Sequence, residues 1–437
     1  MTDIATFTVY SGIKAVGRIA VAEAGALSFG YSEEWLADTR RFPLSASIPL
    51  ERTEYTGPEI EPWLSNLIPE EQQLAGLTRL LGLDRTDIMG VLLAIGGDTA
   101  GALSFGEPSD PAHWGYSPLT EFYGEQDADA ALCQHLEDLK KRPFLADEDG
   151  IRQSLAGGQE KSILAVLDKN GHPQMRLPQE GDRLALPLNG APSTLILKPD
   201  NPLLPGMPEN EAYCLELARQ LDIESARSAV LTAGNRKALS ILRYDRTLTG
   251  NGSIERLHQE DFVQANGKRP AQKYERTVSR GMSTQDIFAT ARLLPPKDRL
   301  ALIDQYIFNI LVANTDAHAK NYSILISPHI RLAPLYDVST VLDWPHINKY
   351  HAQNLAGKKR KPGDIAGRHW EQIATESGFN AREIKARVDQ LVEMMVRKRD
   401  AAIEAVCGNG QASLPVVRKF ADSIEANALR IVGRISA

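Results

Sequence analysis

The hydrophobic pattern of the chain changes partway along its 437 residues. In the first half, most apolar stretches are short and end at Gly, Pro or Asn, which is typical of strands separated by turns. From about residue 282 the apolar residues recur with the 3.6-residue period of amphipathic helices. We therefore expect an α+β protein in which a sheet-bearing half precedes a helical half.

The N-terminal segment predicts strands first and helices afterwards. Alternating apolar residues indicate short strands around residues 7–9, 16–19 and 27–31, with turns at Gly12 and Gly25. Two helices are predicted next, one from Pro62 through Trp63, Leu64, Leu67 and Ile68, and one through Leu74, Leu77, Leu80 and Leu81 that Gly82 closes. A loop rich in Gly, Pro and Asp over residues 106–115 then predicts a break between substructures.

The middle of the chain predicts a mixed sheet that carries one helix. Its segments are a strand over 163–167, a turn at 170–171, a strand over 193–198, a helix over 210–221, and two strands that end by residue 246. The tail predicts two amphipathic helices, over residues 382–406 and 416–435.

Composition excludes several classes of protein. A net charge of −7 argues against a surface that binds nucleic acid all over, although it permits a local basic patch. The three cysteines are widely spaced, which disfavours a disulfide framework or a thiolate zinc site. The N-terminus has no signal-peptide pattern, and no stretch approaches the ~18 apolar residues that span a bilayer. We expect a cytoplasmic protein without a membrane partner.

The strongest local signal is the block from Asn314 to Asn321, followed by Asp337. Asp316 and Asn321 have the D-x-x-x-x-N spacing of kinase catalytic loops, in which the carboxylate orients the attacking hydroxyl and the amide oxygen helps to hold magnesium. The apolar run 322–326 leaves room for one hairpin, which would return Asp337 to complete the metal site. The alternative is that Asp316 and Asn321 only cap and turn the end of the preceding helix.

Two further segments suit the binding of phosphate groups. Residues 154–161 contain paired glycines before Lys161, so the backbone can approach phosphates whose charge the ammonium offsets. Lys198 ends an apolar strand, and Glu211 opens the next helix, where it can pair with Lys198 as in protein kinases. Taken alone, each feature has an ordinary structural explanation. Residues 154–161 also fit a β-turn, Lys198 a lysine that extends to solvent at a strand end, and Glu211 a residue that interacts favourably with the helix dipole. Their order along the chain favours transfer of a phosphoryl group from ATP.

The chain resembles the HipA family, the serine/threonine kinase toxins of bacterial toxin–antitoxin pairs. The resemblance rests on stretches spread over nearly the whole chain: 43–45, 48–50, 66–70, 96–102, 156–161, 196–199, 244–246, 315–321 and 334–337. It implies a kinase-like bilobal fold. The expected divisions are an N-terminal β-rich subdomain over 1–140, a mixed-sheet nucleotide-binding region over 141–250 and an all-helical catalytic lobe over 251–437.

The resemblance also implies roles for individual residues. Asp316 would be the catalytic carboxylate, Asn321 and Asp337 would hold Mg²⁺, and Ser154 would be autophosphorylated to switch the enzyme off. The nucleotide contacts would be Ala156, Gly157, Gly158, Gln159, Glu160, Lys161, Lys198, Leu242, Arg243, Tyr244, His318, Ala319, Lys320, Asn321, Tyr336 and Asp337. For His318 the sequence itself offers no second ligand at zinc spacing, which favours a structural or nucleotide-contacting role.

Partners are implied by the resemblance as well. A HipB-like helix-turn-helix antitoxin would bind the chain and carry it to operator DNA as a co-repressor, and the protein substrate would be an aminoacyl-tRNA synthetase. The basic run 358–361, near Lys349 and Arg368, would contact DNA phosphates in that complex or would form a solvated loop. The alternatives to a protein kinase are a small-molecule phosphotransferase of the aminoglycoside type and a catalytically silent scaffold.

Overall fold

The computed structural model describes residues 3–23, 25–250, 252–275 and 280–435. Its N-terminal part pairs five strands into an antiparallel sheet in the order β4-β3-β2-β1-β5. The elements are β1 (Asp3–Ser11), β2 (Lys14–Ala22), β3 (Leu27–Tyr31), α1 (Glu33–Ala37), β4 (Glu54–Thr56), α2 (Gly57–Ser65), α3 (Glu71–Leu81), α4 (Ile88–Ile95) and β5 (Leu103–Phe105). The three predicted strands are confirmed, and so is α3, which Gly82 closes in the left-handed conformation (φ 67°).

The first predicted helix is misplaced. α2 begins at Gly57 rather than at Pro62, and it ends at Ser65, so that Leu67 and Ile68 lie beyond it. Pro62 is inside the helix, where it removes one backbone hydrogen bond, and does not mark the start. Leu67 and Ile68 are buried all the same, because the chain after α2 runs through the protein interior.

The second sheet has the order β11-β12-β10-β7-β9-β6, with β8 paired to β7. Its elements are β6 (Gly115–Pro118), α5 (Leu119–Tyr123), α6 (Ala128–Asp138), β7 (Ser162–Leu167), β8 (Pro173–Gln174), β9 (Arg183–Leu188), β10 (Leu195–Pro199), α7 (Met207–Gln220), β11 (Ser228–Ala233) and β12 (Arg236–Leu242). Every pairing is antiparallel, so the predicted mixed sheet is wrong in this respect. Because β6 joins this sheet, the sheet starts ahead of the boundary predicted at residue 141, and the division into domains stays a prediction.

The remaining elements are mostly helical. They are β13 (Arg246–Leu248), β14 (Ile254–Arg256), β15 (Gln259–Asp261), α8 (Phe262–Ala265), α9 (Thr284–Thr290), α10 (Pro296–Leu311), β16 (Ser323–Leu325), β17 (Arg331–Leu332), α11 (Gly367–Ser377), α12 (Ala381–Cys407) and α13 (Leu414–Val432). The two tail helices are confirmed. The predicted all-helical lobe is wrong, because β15, β16 and β17 form a small sheet inside it.

The apolar core joins the N-terminal sheet to the helical half. One contiguous cluster of buried side chains runs from β1–β5 through α7 to α9–α13, and a smaller cluster lies between α5, α6 and the second sheet. In the part of the chain that the structure describes, no helix has the length and apolar character needed to cross a membrane.

Candidate active site

A cavity of about 670 Å³ lies between the second sheet and the helical half, a size common for small-molecule sites. Its lining includes nearly all residues that the sequence singled out: Ala156, Gly157, Gly158, Gln159, Glu160, Lys161, Lys198, Leu242, Arg243, Tyr244, Asp316, His318, Lys320, Asn321, Tyr336 and Asp337. Ser154 and Ala319 are fully buried and do not line it. The Ala319 N–H donates to Lys273 O (3.3 Å), so its predicted nucleotide contact is not supported.

Lys198 is held at the centre of the cavity wall by a rigid strand. β10, which carries it, is hydrogen-bonded to β12 on one side and to β7 on the other. Lys198 Nζ donates to Glu211 Oε1 and to Asp337 Oδ1, both at 2.7 Å, which confirms the predicted pairing with Glu211. Burial by itself lowers the pKa of Lys198, but Asp337 and Glu211 outweigh it and raise the pKa above that of a free lysine. The ammonium therefore stays charged.

The loop after α10 presents Asp316 and Asn321 to the cavity. Asp316 is exposed, whereas Asn321 is buried and donates its Nδ2 to Asp316 O (3.2 Å) and to Asp337 O (3.4 Å). These contacts orient the amide so that its oxygen is the atom available to a ligand. β16 and β17 pair as the predicted hairpin, and the chain after them brings Asp337 back beside Asn321.

Asp337 and Asn321 together offer a carboxylate and an amide oxygen. Burial raises the pKa of Asp337, but Lys198 and Lys161 hold it well below its usual range, so the carboxylate is ionised. Magnesium is typically bound by one or two carboxylates together with phosphate oxygens and waters. Among the described residues no group of three His, Cys, Asp or Glu side chains is arranged to hold a metal ion. The pair therefore fits a magnesium ion that arrives with a phosphate-bearing substrate.

The glycine-rich loop, residues 154–161, folds over its own lysine. Lys161 Nζ donates to Ala156 O at 2.6 Å. Burial, with repulsion from Lys198, lowers the pKa of Lys161 to about 8. Gly157 has φ 106°, a conformation that favours glycine, and a Cβ at this position would come within 2.8 Å of Lys161 Nζ. The loop thus holds an ammonium group beneath a glycine backbone, an arrangement that suits the binding of phosphate.

Two tyrosines, one in the segment after β12 and one in the segment after β17, form an aromatic wall. Tyr244 and Tyr336 lie with ring centroids 5.7 Å apart and planes tilted by 32°, and a purine base can pack on such faces. Arg243 is buried and paired with Asp245 at 2.7 Å, so its guanidinium is not available to a nucleotide. The predicted nucleotide contact of Arg243 is therefore limited to its backbone, and that of Leu242, which lines the cavity, stays a prediction.

Two residues of the Asp316–Asn321 loop, Lys320 and His318, already contact other side chains of the protein. Lys320 Nζ contacts Asn66 Oδ1 (2.6 Å) and Asp261 Oδ2 (2.9 Å), which occupies two of its three donors. Its predicted contact with a nucleotide therefore competes with existing partners. His318 packs edge-on against Tyr274, with centroids 5.0 Å apart, and burial lowers its pKa, which favours the neutral ring.

Three residues at the site have no local sequence signal that would have identified their role. Lys273 Nζ donates to Glu70 Oε2 at 2.7 Å, and Tyr274 OH donates to Asp316 Oδ1 at 2.7 Å. Glu70 comes from the end of the segment after α2, and Lys273 and Tyr274 come from the irregular chain before α9. Their function depends on tertiary contacts between distant segments, which spacing along the chain does not encode.

Comparison with known proteins identifies relatives of the chain over most of its length. A family model described as the HipA-like C-terminal domain matches residues 153–399, and one described as the HipA N-terminal domain matches residues 7–106. The Sinorhizobium fredii protein Y4mE, named as a candidate kinase, is 33% identical over 418 residues, which cover 94% of this chain and 95% of Y4mE. The serine/threonine-protein kinase toxin HipA of Shewanella oneidensis is 29% identical over 350 residues, covering 77% of this chain and 75% of that protein.

A solved structure has the same architecture. The complex of Shewanella oneidensis HipA with HipB and its operator DNA contains a chain that matches with a TM-score of 0.78 and 25% identity, covering 98% of both chains. This match confirms the predicted kinase-like bilobal fold. Matches to both family models, the near-complete coverage of Y4mE, the likeness to HipA and the shared fold lead to one conclusion: the chain belongs to the HipA family of serine/threonine kinases.

Proposed function

We propose that the chain transfers the γ-phosphoryl group of ATP, with magnesium, to serine or threonine hydroxyls of proteins. One observation carries this proposal. A single cavity brings together Lys198, the carboxylate of Asp337, and Asp316 with Asn321, and Glu211 holds Lys198 from behind the cavity wall. These are the parts that kinases use to hold phosphates, to bind metal and to orient the attacking hydroxyl.

Each residue would act through the atoms that it turns to the cavity. Lys198 would bind the phosphate oxygens, Lys161 and the glycine-rich loop would cover them, and Asp316 would accept the proton of the acceptor hydroxyl. Asn321 and Asp337 would hold magnesium, which when bound offsets the charge of the phosphate oxygens. The remaining nucleotide contacts predicted from the sequence belong to this proposal, with the exception of Ala319.

The test is phosphate transfer from labelled ATP in the presence of magnesium, with a cell extract as acceptor. Asp316→Asn is expected to lower the rate by roughly 10²–10⁴-fold, as loss of a general base does. Asp337→Asn is expected to abolish the magnesium dependence together with most of the activity. Asp400→Asn, at an exposed position on α12, is the matched control and should keep the wild-type rate. Transfer to small hydroxyl compounds but to no protein would favour a small-molecule phosphotransferase, and no transfer at all would favour a silent scaffold.

We further propose that Ser154 is autophosphorylated and that this switches the enzyme off. Ser154 is fully buried at the base of the glycine-rich loop, where its Oγ donates to Leu67 O at 2.7 Å. A phosphate carries about two negative charges and has no hydroxyl to donate, so it is incompatible with this position and would expel the loop. Mass spectrometry of the purified chain after incubation with ATP should find phosphate on Ser154, and Ser154→Ala should prevent the resulting loss of activity.

A solved structure of a relative supports a proposal about the protein partners. We propose that the chain is the toxin of a toxin–antitoxin pair in the cytoplasm, bound by a HipB-like antitoxin that carries it to operator DNA as a co-repressor. Support comes from the matching Shewanella oneidensis structure, which contains HipA, HipB and operator DNA. The acceptor protein would be an aminoacyl-tRNA synthetase, which mass spectrometry of phosphorylated extract proteins would identify.

The basic run 358–361 is a candidate contact for DNA phosphates in that complex. Arg360 already donates to Leu355 O (2.7 Å), while Lys358 and Lys361 are exposed. Replacing these two lysines by alanine is therefore the sharper test. If they contact phosphates, the operator affinity of the complex with its antitoxin falls and its salt dependence becomes shallower. An unchanged salt dependence would identify the run as a solvated loop.

A further inference from the structure

The five residues that follow α2, Asn66 to Glu70, lie between the two loops of the candidate active site. We call this segment the brace. It belongs to the N-terminal part of the molecule, whereas the glycine-rich loop belongs to the second sheet and the Asp316–Asn321 loop to the helical half. The brace is buried along its whole length and contacts both loops.

On one side the brace binds the glycine-rich loop through backbone atoms. Leu67 O accepts the hydrogen bond of Ser154 Oγ at 2.7 Å, and the Glu70 N–H donates to Gly157 O at 3.2 Å. Pro69 and Gly157 form an isolated parallel bridge, so the loop is paired to the brace like a short strand. This pairing fixes the height of the glycine backbone above the cavity.

On the other side the brace binds the helical half through side chains. Asn66 Oδ1 accepts from Lys320 Nζ (2.6 Å), and Lys320 immediately precedes Asn321. Glu70 Oε2 accepts from Lys273 Nζ at 2.7 Å, and Lys273 immediately precedes Tyr274, whose hydroxyl contacts Asp316.

Glu70 has two buried charged contacts, a hydrogen bond from Lys273 Nζ at 2.7 Å and an ion pair with Lys320 Nζ at 3.8 Å. Burial raises the pKa of Glu70, but Lys320 and Lys273 outweigh it and lower the pKa, so the carboxylate is ionised between two ammonium groups. The Lys273 contact is a charge-assisted hydrogen bond, which is stronger than a neutral one. Without Glu70, Lys273 would lose this buried carboxylate partner, whereas Lys320 would keep its contact with Asp261. Glu70 also carries the backbone N–H that holds Gly157, so one residue joins both loops.

We propose that the brace sets the distance between the glycine-rich loop and the Asp316–Asn321 loop, with Asn66 and Glu70 as positioning residues. This inference rests on the proposed kinase function. Phosphoryl transfer requires the donor phosphate and the acceptor hydroxyl to be aligned within a fraction of an ångström. The glycine-rich loop holds the first and Asp316 orients the second. The N-terminal subdomain is therefore a structural part of the catalytic site, and a phosphate on Ser154 acts by removing the Leu67 contact.

The test compares two brace variants with a control at the same interface. Glu70→Gln removes the charge but keeps the shape and the backbone contact. Asn66→Ala removes the contact with Lys320 and the hydrogen bonds that Asn66 Nδ2 donates to Pro62 O and Lys268 O. The control is Glu61→Gln, which removes the exposed ion pair between Glu61 on α2 and Arg269 of the helical half (2.8 Å). Both kinetics and amide hydrogen exchange are measured on the full chain.

In the brace variants kcat should fall by about 10-fold or more while KM for ATP changes by less than about 3-fold, because Lys198 and the aromatic wall still bind the nucleotide. Without nucleotide, amide exchange over residues 154–161 should become faster in both brace variants and stay unchanged in Glu61→Gln. If amide exchange over residues 154–161 is as slow in both brace variants as in the control, the proposal is overturned. This readout does not depend on kinase activity, so it tests the brace even if the chain has none. A loss of thermal stability with intact kcat also overturns it, since the brace would then be structural only.

Discussion

Asp337 adopts a left-handed backbone conformation (φ 57°), which is uncommon for a residue with a side chain. Ala313, just after α10, has the same conformation (φ 60°). Such conformations cost about 1–3 kcal/mol each and persist where the surroundings enforce them. Here Lys198 holds the Asp337 carboxylate, while Asn314 Nδ2 donates to Asp337 O (3.3 Å). The strain lies in the two turns that frame the candidate catalytic loop, where it fixes the direction of the carboxylate.

Residues at the site differ in how far the sequence could predict them. Asp316, Asn321 and Asp337 lie on one loop and one hairpin, so their spacing nearly determines their proximity. The ion pair of Lys198 with Glu211 was also predictable, because a strand and the helix after it pack together. Tyr274 was not, because nothing in its neighbourhood indicates that its hydroxyl reaches a residue some forty positions away.

The first prediction concerns this tyrosine. The hydroxyl of Tyr274 donates to Asp316 Oδ1, and we expect an acceptor hydroxyl to donate to the same oxygen. The acceptor would then compete with Tyr274 for this oxygen. Tyr274→Phe should raise kcat/KM for the protein acceptor by about 5-fold, the equivalent of one net hydrogen bond of about 1 kcal/mol. Initial rates at low acceptor concentration measure the effect.

The control for this prediction is Tyr350→Phe, which removes the hydroxyl of a tyrosine that is 45% exposed. It should leave kcat/KM unchanged. A fall in kcat for Tyr274→Phe would contradict the prediction, because it would mean that Tyr274 orients Asp316 and does not compete with the acceptor.

At the scale of elements, the hydrophobic period identified most helices and strands but not their limits or partners. α2 begins with a capping box in which Thr56 N donates to Glu59 Oε2 (2.9 Å). This pair of residues, three positions apart in the sequence, indicates the true start of the helix better than Pro62, which suggested a later one. The direction of the strands in the second sheet depends on their connections through α7 and the turns. A strand pattern has the same period in parallel and antiparallel sheets, so periodicity could not distinguish them.

The second prediction concerns β15, which carries a fully buried glutamate. Glu260 Oε1 accepts from the Ala46 N–H at 2.8 Å, and burial raises the pKa of Glu260 to about 8. Above the pKa of an unfolded glutamate the unfolded chain is ionised while the folded chain still holds the proton. The contribution of protonated Glu260 to the free energy of unfolding is therefore fully present below pH 4.5. It is lost as the pH rises to about 8, by up to about 1.4 kcal/mol per pH unit.

Glu260→Gln keeps the acceptor for Ala46 and removes this ionisation. Urea unfolding between pH 5 and pH 9 should show a smaller loss of unfolding free energy in the variant, which should be more stable than the wild type at the upper end. Glu255→Gln, at an exposed position on the neighbouring strand β14, should follow the wild type. Parallel pH profiles for all three proteins would show that Glu260 is ionised in the folded state.

The whole molecule is joined by a buried charge cluster as well as by the apolar core. Asp98, in the turn between α4 and β5, pairs with Arg246 (2.7 Å) and Arg256 (3.0 Å) and lies 3.7 Å from Arg243. Asp98 Oδ2 also accepts the Ser193 N–H at 2.9 Å. One carboxylate thus ties the N-terminal sheet to the second sheet and to β13 and β14. No sequence pattern connects these residues, because they meet only after three substructures have packed.

The last prediction is that Asp98 is required for the parts to fold as one unit. Three arginines near Asp98 lower its pKa despite burial, so it is ionised, and Asp98→Ala leaves Arg246 and Arg256 with too little compensating charge. Breaking a buried pair in this way costs about 3–5 kcal/mol, whereas Glu61→Gln, at an exposed ion pair of the same interface, should cost less than about 1 kcal/mol. Urea unfolding followed by tryptophan fluorescence and by circular dichroism measures both. The transitions should coincide in the wild type, because the apolar core is contiguous. A cost for Asp98→Ala no larger than for Glu61→Gln would show that the apolar core alone holds the substructures together.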